Sequence, residues 1–444
     1  MSIDTPPSPP PGAQFPPPDP RDRYGRFRNE VMAGGSVTER PDGAEPFGGG
    51  VNGAVGGLAI VGLLVWLAVS NHWMFLFVVG ILVSVFLHET GHFVTARLTG
   101  MKATQFFLGF GPRLWSFQRG ETEYGVRLLP LGAFVRIIGM NNLDEVPLED
   151  EGRTYRQQSF PRRLLVISAG SIMHMLIAIV LFFSVFATKG QIEGAPGAEI
   201  RGFAEQVSPA AAAGLQAEDV VLSVGGVVID DDVLIGDAVR QHQPGDTVEI
   251  VYVRDGVQRA VDVTLGENPG TDNPDVAGTA FLGVSTRGVT EWRDMSIGSA
   301  LTHSVTDLFP NAWESTKGVV KVLNPVNIFD HLTGESDDLT TRPTTLVGAT
   351  DVSGTIGSEE GLAGILLMLA ALNVFIGVFN MFPLLPLDGG HAAIAVYERV
   401  REIGRNGRRY FTDVSRLMPF TMGVIVVLLF LFMSGLYLDI AKPL

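Results

Sequence analysis

The segment His88-Glu89-Thr90-Gly91-His92 lies inside an apolar stretch, and it constrains the fold more than any other feature of the chain. On an α-helix residues four apart share a face, so His88 and His92 present two imidazoles to one metal ion while Glu89 reaches a water beside it. Charged side chains at membrane depth cost about 2.5 to 3.5 kcal/mol each on insertion scales, so polar groups clustered there need compensation. A metal supplies it, and the spacing points to metal-assisted hydrolysis at membrane depth. The bland alternative is a pair of buried histidines satisfied by neighbouring carbonyls.

The 444 residues are 46% hydrophobic, and the mean hydropathy of +0.26 is high for a soluble protein. Apolar runs over 53–70, 73–96, 164–187, 361–382 and 420–437 approach the twenty or so residues that cross a bilayer. The expected fold class is a polytopic α-helical membrane protein of four to five spans, the first run being short and glycine-containing. No cleavable signal peptide is expected, because residues 1–50 are polar and Pro-rich; that tail reads as disordered and solvated.

Short loops set the orientation. Arg21, Arg23, Arg26 and Arg28 precede the first run; Arg97, Lys102, Arg162 and Arg163 lie between the second and third; Arg399, Arg401, Arg405, Arg408, Arg409 and Arg416 lie between the last two. The positive-inside rule makes all three cytoplasmic. Residues 188–360 then face outside with 27 Asp or Glu against 10 Lys or Arg, a net −17 that exceeds the whole chain's −15. This acidity excludes nucleic acid as a partner. The absence of Cys leaves His, Asp and Glu as metal ligands.

A catalytic zinc site takes three protein ligands and keeps one position open, so two histidines require a third partner. Asn380 to His391 reads Asn-Met-Phe-Pro-Leu-Leu-Pro-Leu-Asp-Gly-Gly-His, where prolines break an apolar helix and a carboxylate follows at membrane depth. Asp388 is the natural third ligand beside the His-Glu-x-x-His pair; standing alone it would read as a solvated cap in a Pro and Gly turn.

At these residues the chain resembles the site-2 protease family of intramembrane zinc metalloproteases, in the actinobacterial form of its bacterial envelope-stress branch. The resemblance rests on His88 to His92, on Gly109-Phe110-Gly111-Pro112, on Asn380 to Gly389, and on a single PDZ-like insert. It implies one zinc ion per chain on His88, His92 and Asp388, Glu89 as general base, and Asn380 positioning substrate or the transition-state oxygen. Gly109, Phe110, Gly111 and His174 are further substrate-positioning candidates. One departure is visible: where the family reads Gly-Pro-x-x-Asn, this chain reads Gly170-Ser171-Ile172-Met173-His174. His174 is expected to donate a hydrogen bond from the packed helix rather than to be another zinc ligand.

Tyr124 to Leu128 and Leu131 to Ile137 read as paired short strands. In the family this is a membrane-associated, re-entrant β-hairpin whose open edge can accept an unwound substrate; an ordinary cytoplasmic hairpin is the alternative. Val207 to Gly226, Pro244-Gly245-Asp246 and Phe281-Leu282-Gly283-Val284 resemble an extracytoplasmic α+β PDZ domain, with Leu282 and Gly283 as peptide-binding candidates. Such a domain either filters substrates by size or receives a peptide C-terminus.

The expected organisation is a tail over 1–50, a transmembrane hairpin over 51–103, a β region over 104–163 and a span over 164–188. A PDZ-like domain over 195–288, interfacial helices over 289–360, a span over 361–391, a basic loop over 392–419 and a last span and tail over 420–444 follow. This reading is a multi-pass cell-membrane zinc endopeptidase, N-terminus cytoplasmic, that cuts transmembrane segments of other proteins. The resemblance implies an anti-sigma factor or signal-peptide remnant as substrate. The competing reading is a non-catalytic PDZ-bearing scaffold with a structural metal; a transporter would show paired broken helices.

Overall fold

The computed structural model describes residues 51–444 apart from 141–143, 145, 205–207, 231–232, 271–275, 337, 339, 404–408 and 444. The Pro-rich tail with Arg21, Arg23, Arg26 and Arg28, and Arg405 and Arg408 of the last basic loop, lie outside the described residues. The helices are α1 (Val51–Ser70), α2 (His72–Leu98), α3 (Phe160–Phe186), α4 (Pro209–Ala212), α5 (Ile235–Val239) and α6 (Ile297–Thr306). They continue with α7 (Leu308–Val322), α8 (Pro325–Thr333), α9 (Leu346–Asn380), α10 (Asp388–Ile403) and α11 (Met418–Ala441). Two compact units divide the chain: residues up to Phe183 together with Thr302–Leu444, and Ser184–Leu301.

In the first unit α2, α3, α9 and α11 are long and apolar enough to cross a membrane, whereas the apolar run of α1, Val55–Ser70, is shorter. At 1.5 Å per residue the 27 residues of α2 reach roughly 40 Å, beyond the ~30 Å hydrocarbon core. Asn71 starts α2 by accepting from the backbone N–H groups of Trp73 and Met74 at 3.0 and 3.2 Å. In α9 the backbone breaks at Gly361, with φ 65° and ψ −149°, where the sequence places the boundary between interfacial helix and span. Phe77 and Ile81 of α2 pack on Ile365 and Leu369 of α9.

Two long strands, β1 (Ala103–Arg119) and β2 (Thr122–Ile137), form the hairpin. The expectation of two short strands paired with each other is corrected here. Tyr124–Leu128 and Leu131–Ile137 are parts of one strand, and both border β1: Phe106 faces Val135 and Tyr124, and Phe107 faces Phe134 and Gly125. The hairpin curls because β1 bends at Gly109 and Gly111, whose φ values are +88° and +78°. A Cβ at Gly109 would also lie 2.7 Å from the Leu129 carbonyl oxygen.

The second unit is an antiparallel sheet of β3 (Gln191–Phe203), β4 (Val220–Val224), β5 (Val227–Val228), β6 (Thr247–Arg254), β7 (Val257–Thr264) and β10 (Val284–Arg293). The order is β10-β3-β4-β6-β7, with β5 beside β4, and a separate pair joins β8 (Gly266–Glu267) to β9 (Ala280–Phe281). Alternation along β6 buries Val248, Ile250 and Tyr252 and leaves Thr247 and Glu249 exposed, the period-two pattern of a one-sided strand. Ile200, Val221, Val224 and Val263 complete the core. Strand pairing extends past the expected 195–288 bounds, since Gln191–Gly194 pairs with Thr290–Arg293.

Asp219 is the buried charge of this unit. Its carboxylate accepts from Arg254 Nε and Nη2, both at 2.7 Å, and from the Gln216 N–H at 2.7 Å. Burial alone would raise its pKa, but the Arg254 guanidinium and the Gln216 N–H hold it below the usual carboxylate range. Stability from this pair is therefore full above the unfolded value near pH ~3.9 and is lost as pH falls through the lower folded value. Arg254→Gln removes both guanidinium bonds and leaves the Asp219 carboxylate without its cation, which destabilises this unit. Faster hydrogen exchange at the β4 and β6 amides is the expected result, and wild-type protection would refute it.

Candidate metal centre

His88 and His92 project from one face of α2, and Asp388 is the first residue of α10. The two Nε2 atoms are 3.2 Å apart, and Asp388 Oδ2 lies 3.4 Å from that of His88 and 3.3 Å from that of His92. A tetrahedral zinc with bonds of about 2.0 to 2.1 Å requires ligand-to-ligand edges of about 3.3 to 3.4 Å, so the three donors fit one ion. His92 Nδ1–H donates to the Val166 carbonyl at 2.7 Å, which fixes the ring's tautomer and leaves Nε2 with a lone pair. Asp388 Oδ2 is buried without a hydrogen-bond partner among the described residues. An acceptor oxygen beside an acceptor nitrogen repels unless a cation or proton sits between them.

Close backbone approach makes this convergence possible. A Cβ on Gly91, inside the His-Glu-x-x-His turn, would lie 2.7 Å from the Ala169 carbonyl oxygen of α3. A Cβ on Gly170 would lie 2.3 Å from His88 Cε1 and 2.5 Å from His92 Nε2. Gly389, next to Asp388, is equally constrained, since its Cβ would meet the Met381 and Phe382 carbonyl oxygens at 2.2 Å. The Asp-Gly motif thus lets the chain after α9 fold back onto the start of α10.

A cavity of about 330 Å³ opens on the three donors. Glu89, Asn380, Phe110 and the backbone run Gly132–Ile137 line it. Gly109 and Gly111 do not; they form the bend that aims Phe110 inward. His174 lines the cavity with its ring centroid 4.9 Å from that of His88, yet it stands outside the group of metal-compatible donors. Its Nδ1–H donates to Asn373 Oδ1 at 2.8 Å, while Asn373 Nδ2 donates to Ser84 Oγ at 3.1 Å and to the Leu369 carbonyl at 2.8 Å. His174 is therefore a packed, hydrogen-bonded histidine.

Asn373 and Ser84 escape a reading of the sequence alone. The usable signal is spacing: Asn373 precedes Asn380 by two helical turns, so both lie along one stripe of an apolar helix. Leu282 and Gly283 belong to the other unit. Leu282 is 3% exposed within the core there. The Gly283 carbonyl accepts from the Ala204 N–H at 3.0 Å and Ser208 Oγ at 2.8 Å.

Comparison with known proteins adds three kinds of likeness. The model of peptidase family M50 matches residues 76–429. Zinc metalloprotease Rip1 of Mycolicibacterium smegmatis is 32% identical over 396 residues, covering 83% of this chain and 97% of that protein. Zinc metalloprotease RasP of Oceanobacillus iheyensis is 24% identical over 405 residues, covering 74% and 90%. A solved PDZ domain from the SdrC-like protein of Listeria monocytogenes is 21% identical, covering 21% of this chain and 90% of that one, with TM-score 0.18.

Gly170→Ala tests the packing. The added methyl enters the space of both imidazoles, so zinc content should fall well below one per chain while the second unit keeps its hydrogen-exchange protection. Full zinc stoichiometry in this variant would show that α2 and α3 tolerate a wider separation.

Proposed function

Because the chain belongs to peptidase family M50, we propose that His88, His92 and Asp388 hold its zinc and that Glu89 is the general base for peptide-bond hydrolysis. The chain is a zinc-dependent intramembrane endopeptidase. The observation that carries the residue assignment is the triangle of donor separations, 3.2, 3.3 and 3.4 Å. When bound, zinc polarises the scissile carbonyl and makes water a better nucleophile at neutral pH. Glu89, one residue from His88 and lining the same cavity, takes the proton from the attacking water and returns it to the leaving amine. Asn380 lines the wall of that cavity and positions the substrate carbonyl. A scaffold with a structural metal would need a closed, four-ligand shell, and three donors converge among the described residues.

The substrate is a transmembrane segment of another protein, the anti-sigma factors being the class the family resemblance suggests. A helical substrate keeps its carbonyls engaged, so it has to be extended before cleavage. The cavity wall Gly132–Ile137 belongs to β2 and offers a strand edge for that extension. The hairpin exposes Trp115 at 60% and Phe117 at 44%, apolar surface suited to lipid. The Ser184–Leu301 unit serves as a PDZ-like domain outside the cytoplasm, and the basic segment around Arg399 to Arg416 faces inward.

Glu89→Gln should keep zinc near one per chain and lower cleavage by about 10² to 10⁴-fold, whereas Asp388→Asn and His92→Ala should lose metal. Wild-type turnover by Glu89→Gln would remove the general base, and full metal in both ligand variants would remove the ligand set. Orientation has its own test, because the chain has no Cys. A single cysteine at Gln243 should react with a membrane-impermeant maleimide in intact cells, and one at Arg416 should not; the reverse pattern would invert the topology.

A further inference from the structure

At the first turn of α3, four arginines border a second cavity of about 320 Å³. Arg156 and Arg163 come from the α3 side and Arg399 and Arg409 from α10 and the segment after it; Glu402 is the one carboxylate in the lining. Three of the four are paired with carboxylates, Arg156 with Glu151 and Arg163 with Glu398 at 2.6 Å each and Arg399 with Glu402 at 3.3 Å, so the excess positive charge falls on Arg409. Internal pairing leaves donors over. Arg163 gives Nη2 to Glu398 at 2.6 Å, yet its Nε has no partner among the described residues although the residue is only 8% exposed. Arg409 donates to the neutral Gln157 Oε1 at 2.8 Å and has no carboxylate partner among the described residues. A guanidinium carries five N–H donors, so Arg163 Nε and the further N–H groups of Arg409 remain for a ligand.

Depth identifies the ligand. α3 has 27 residues, roughly 40 Å against a hydrocarbon core of ~30 Å, which leaves about one turn in the headgroup layer at each end. Phe160 to Arg163, the turn that borders the cavity, is that turn. The volume equals the share of roughly ten waters, enough for a phosphate and its hydration. Planar guanidiniums bind phosphate oxygens in pairs. We propose that this cavity binds a phosphate group, carried by a lipid headgroup or present as free phosphate, and that the ligand braces α3 against α10. The brace joins two elements of the metal centre, since α3 carries Val166 and α10 begins at Asp388.

The test uses the full-length zinc-loaded protein. In nanodiscs of equal phosphatidylglycerol and phosphatidylcholine, native mass spectrometry should show phosphatidylglycerol retained in preference to phosphatidylcholine. The double variant Arg399→Gln, Arg409→Gln removes two exposed cavity charges and should weaken that retention roughly thirtyfold, equivalent to about 2 kcal/mol, with zinc content unchanged. Arg416→Gln, in the same basic segment but outside the cavity, should retain the lipid as wild type does. Titration of inorganic phosphate in neutral detergent separates the sources. Phosphate binding that the double variant loses, without phosphatidylglycerol enrichment, keeps the site and assigns it to free phosphate. Equal retention of the two lipids with no phosphate binding overturns the proposal, as does equal weakening by Arg416→Gln. If the double variant loses zinc, Arg409→Gln alone serves in its place and is read by the same outcomes.

Discussion

The convergence of His88, His92 and Asp388 depends on how closely the backbones of α2 and α3 approach. Both histidines sit on α2, but the carbonyl that orients His92 belongs to Val166 of α3, and the glycine that leaves room for both rings is Gly170 of the same helix. Metal–ligand distances tolerate only about ±0.2 Å, whereas a methyl group at Gly170 would enter the rings by more than that. Helix packing in a bilayer has no hydrophobic drive of its own and relies on small residues that bring backbones together. Gly91 and Gly170 perform that packing at the level of the site, so bundle stability and ligand placement are set by the same contact.

Several polar groups buried among the apolar helices tie one element to another. Asn373 of α9 bridges His174 of α3 and Ser84 of α2, which links three apolar helices through side-chain hydrogen bonds. Model helices and mutant cycles put such bonds at about 0.6 to 2 kcal/mol, modest individually and directional together. Asp439 of α11 does the same at the other end of α9. It accepts from the Thr345 N–H at 2.8 Å, the Thr345 hydroxyl at 2.6 Å and the Gly348 N–H at 3.1 Å, so a carboxylate from one helix caps another.

Local spacing was legible in the sequence, and contacts between distant elements were not. His88 and His92 share a face by helical geometry alone, and Asp388 is marked by the prolines and glycines that interrupt an apolar run. The curl of the hairpin was hidden: alternation identifies strand residues around Tyr124 and Phe134, but their common neighbour β1 depends on a bend at Gly109 and Gly111 that pattern does not encode. The Gly-Phe-Gly motif reads as a contact surface, whereas only Phe110 reaches the cavity and the glycines supply the bend. A lone Asn or Ser in a helix carries no signature of its partner, which is why the Asn373 bridge emerges only in three dimensions.

The same division explains why α10 carries charge on the side that meets α3. Asp388 has to be held where α10 begins, and the preceding loop is irregular, so the helix needs a second fixed point. Glu398 provides it ten residues on, accepting from Arg163 Nη2 at 2.6 Å and from the Thr412 N–H at 2.6 Å. A buried ion pair seldom stabilises more than apolar packing of the same volume, but removing one partner typically costs about 3 to 5 kcal/mol, so the pair fixes register more than it adds stability. Arg163 precedes Val166 by less than one helical turn. The turn of α3 that orients His92 therefore also sets the register of the helix that begins with Asp388.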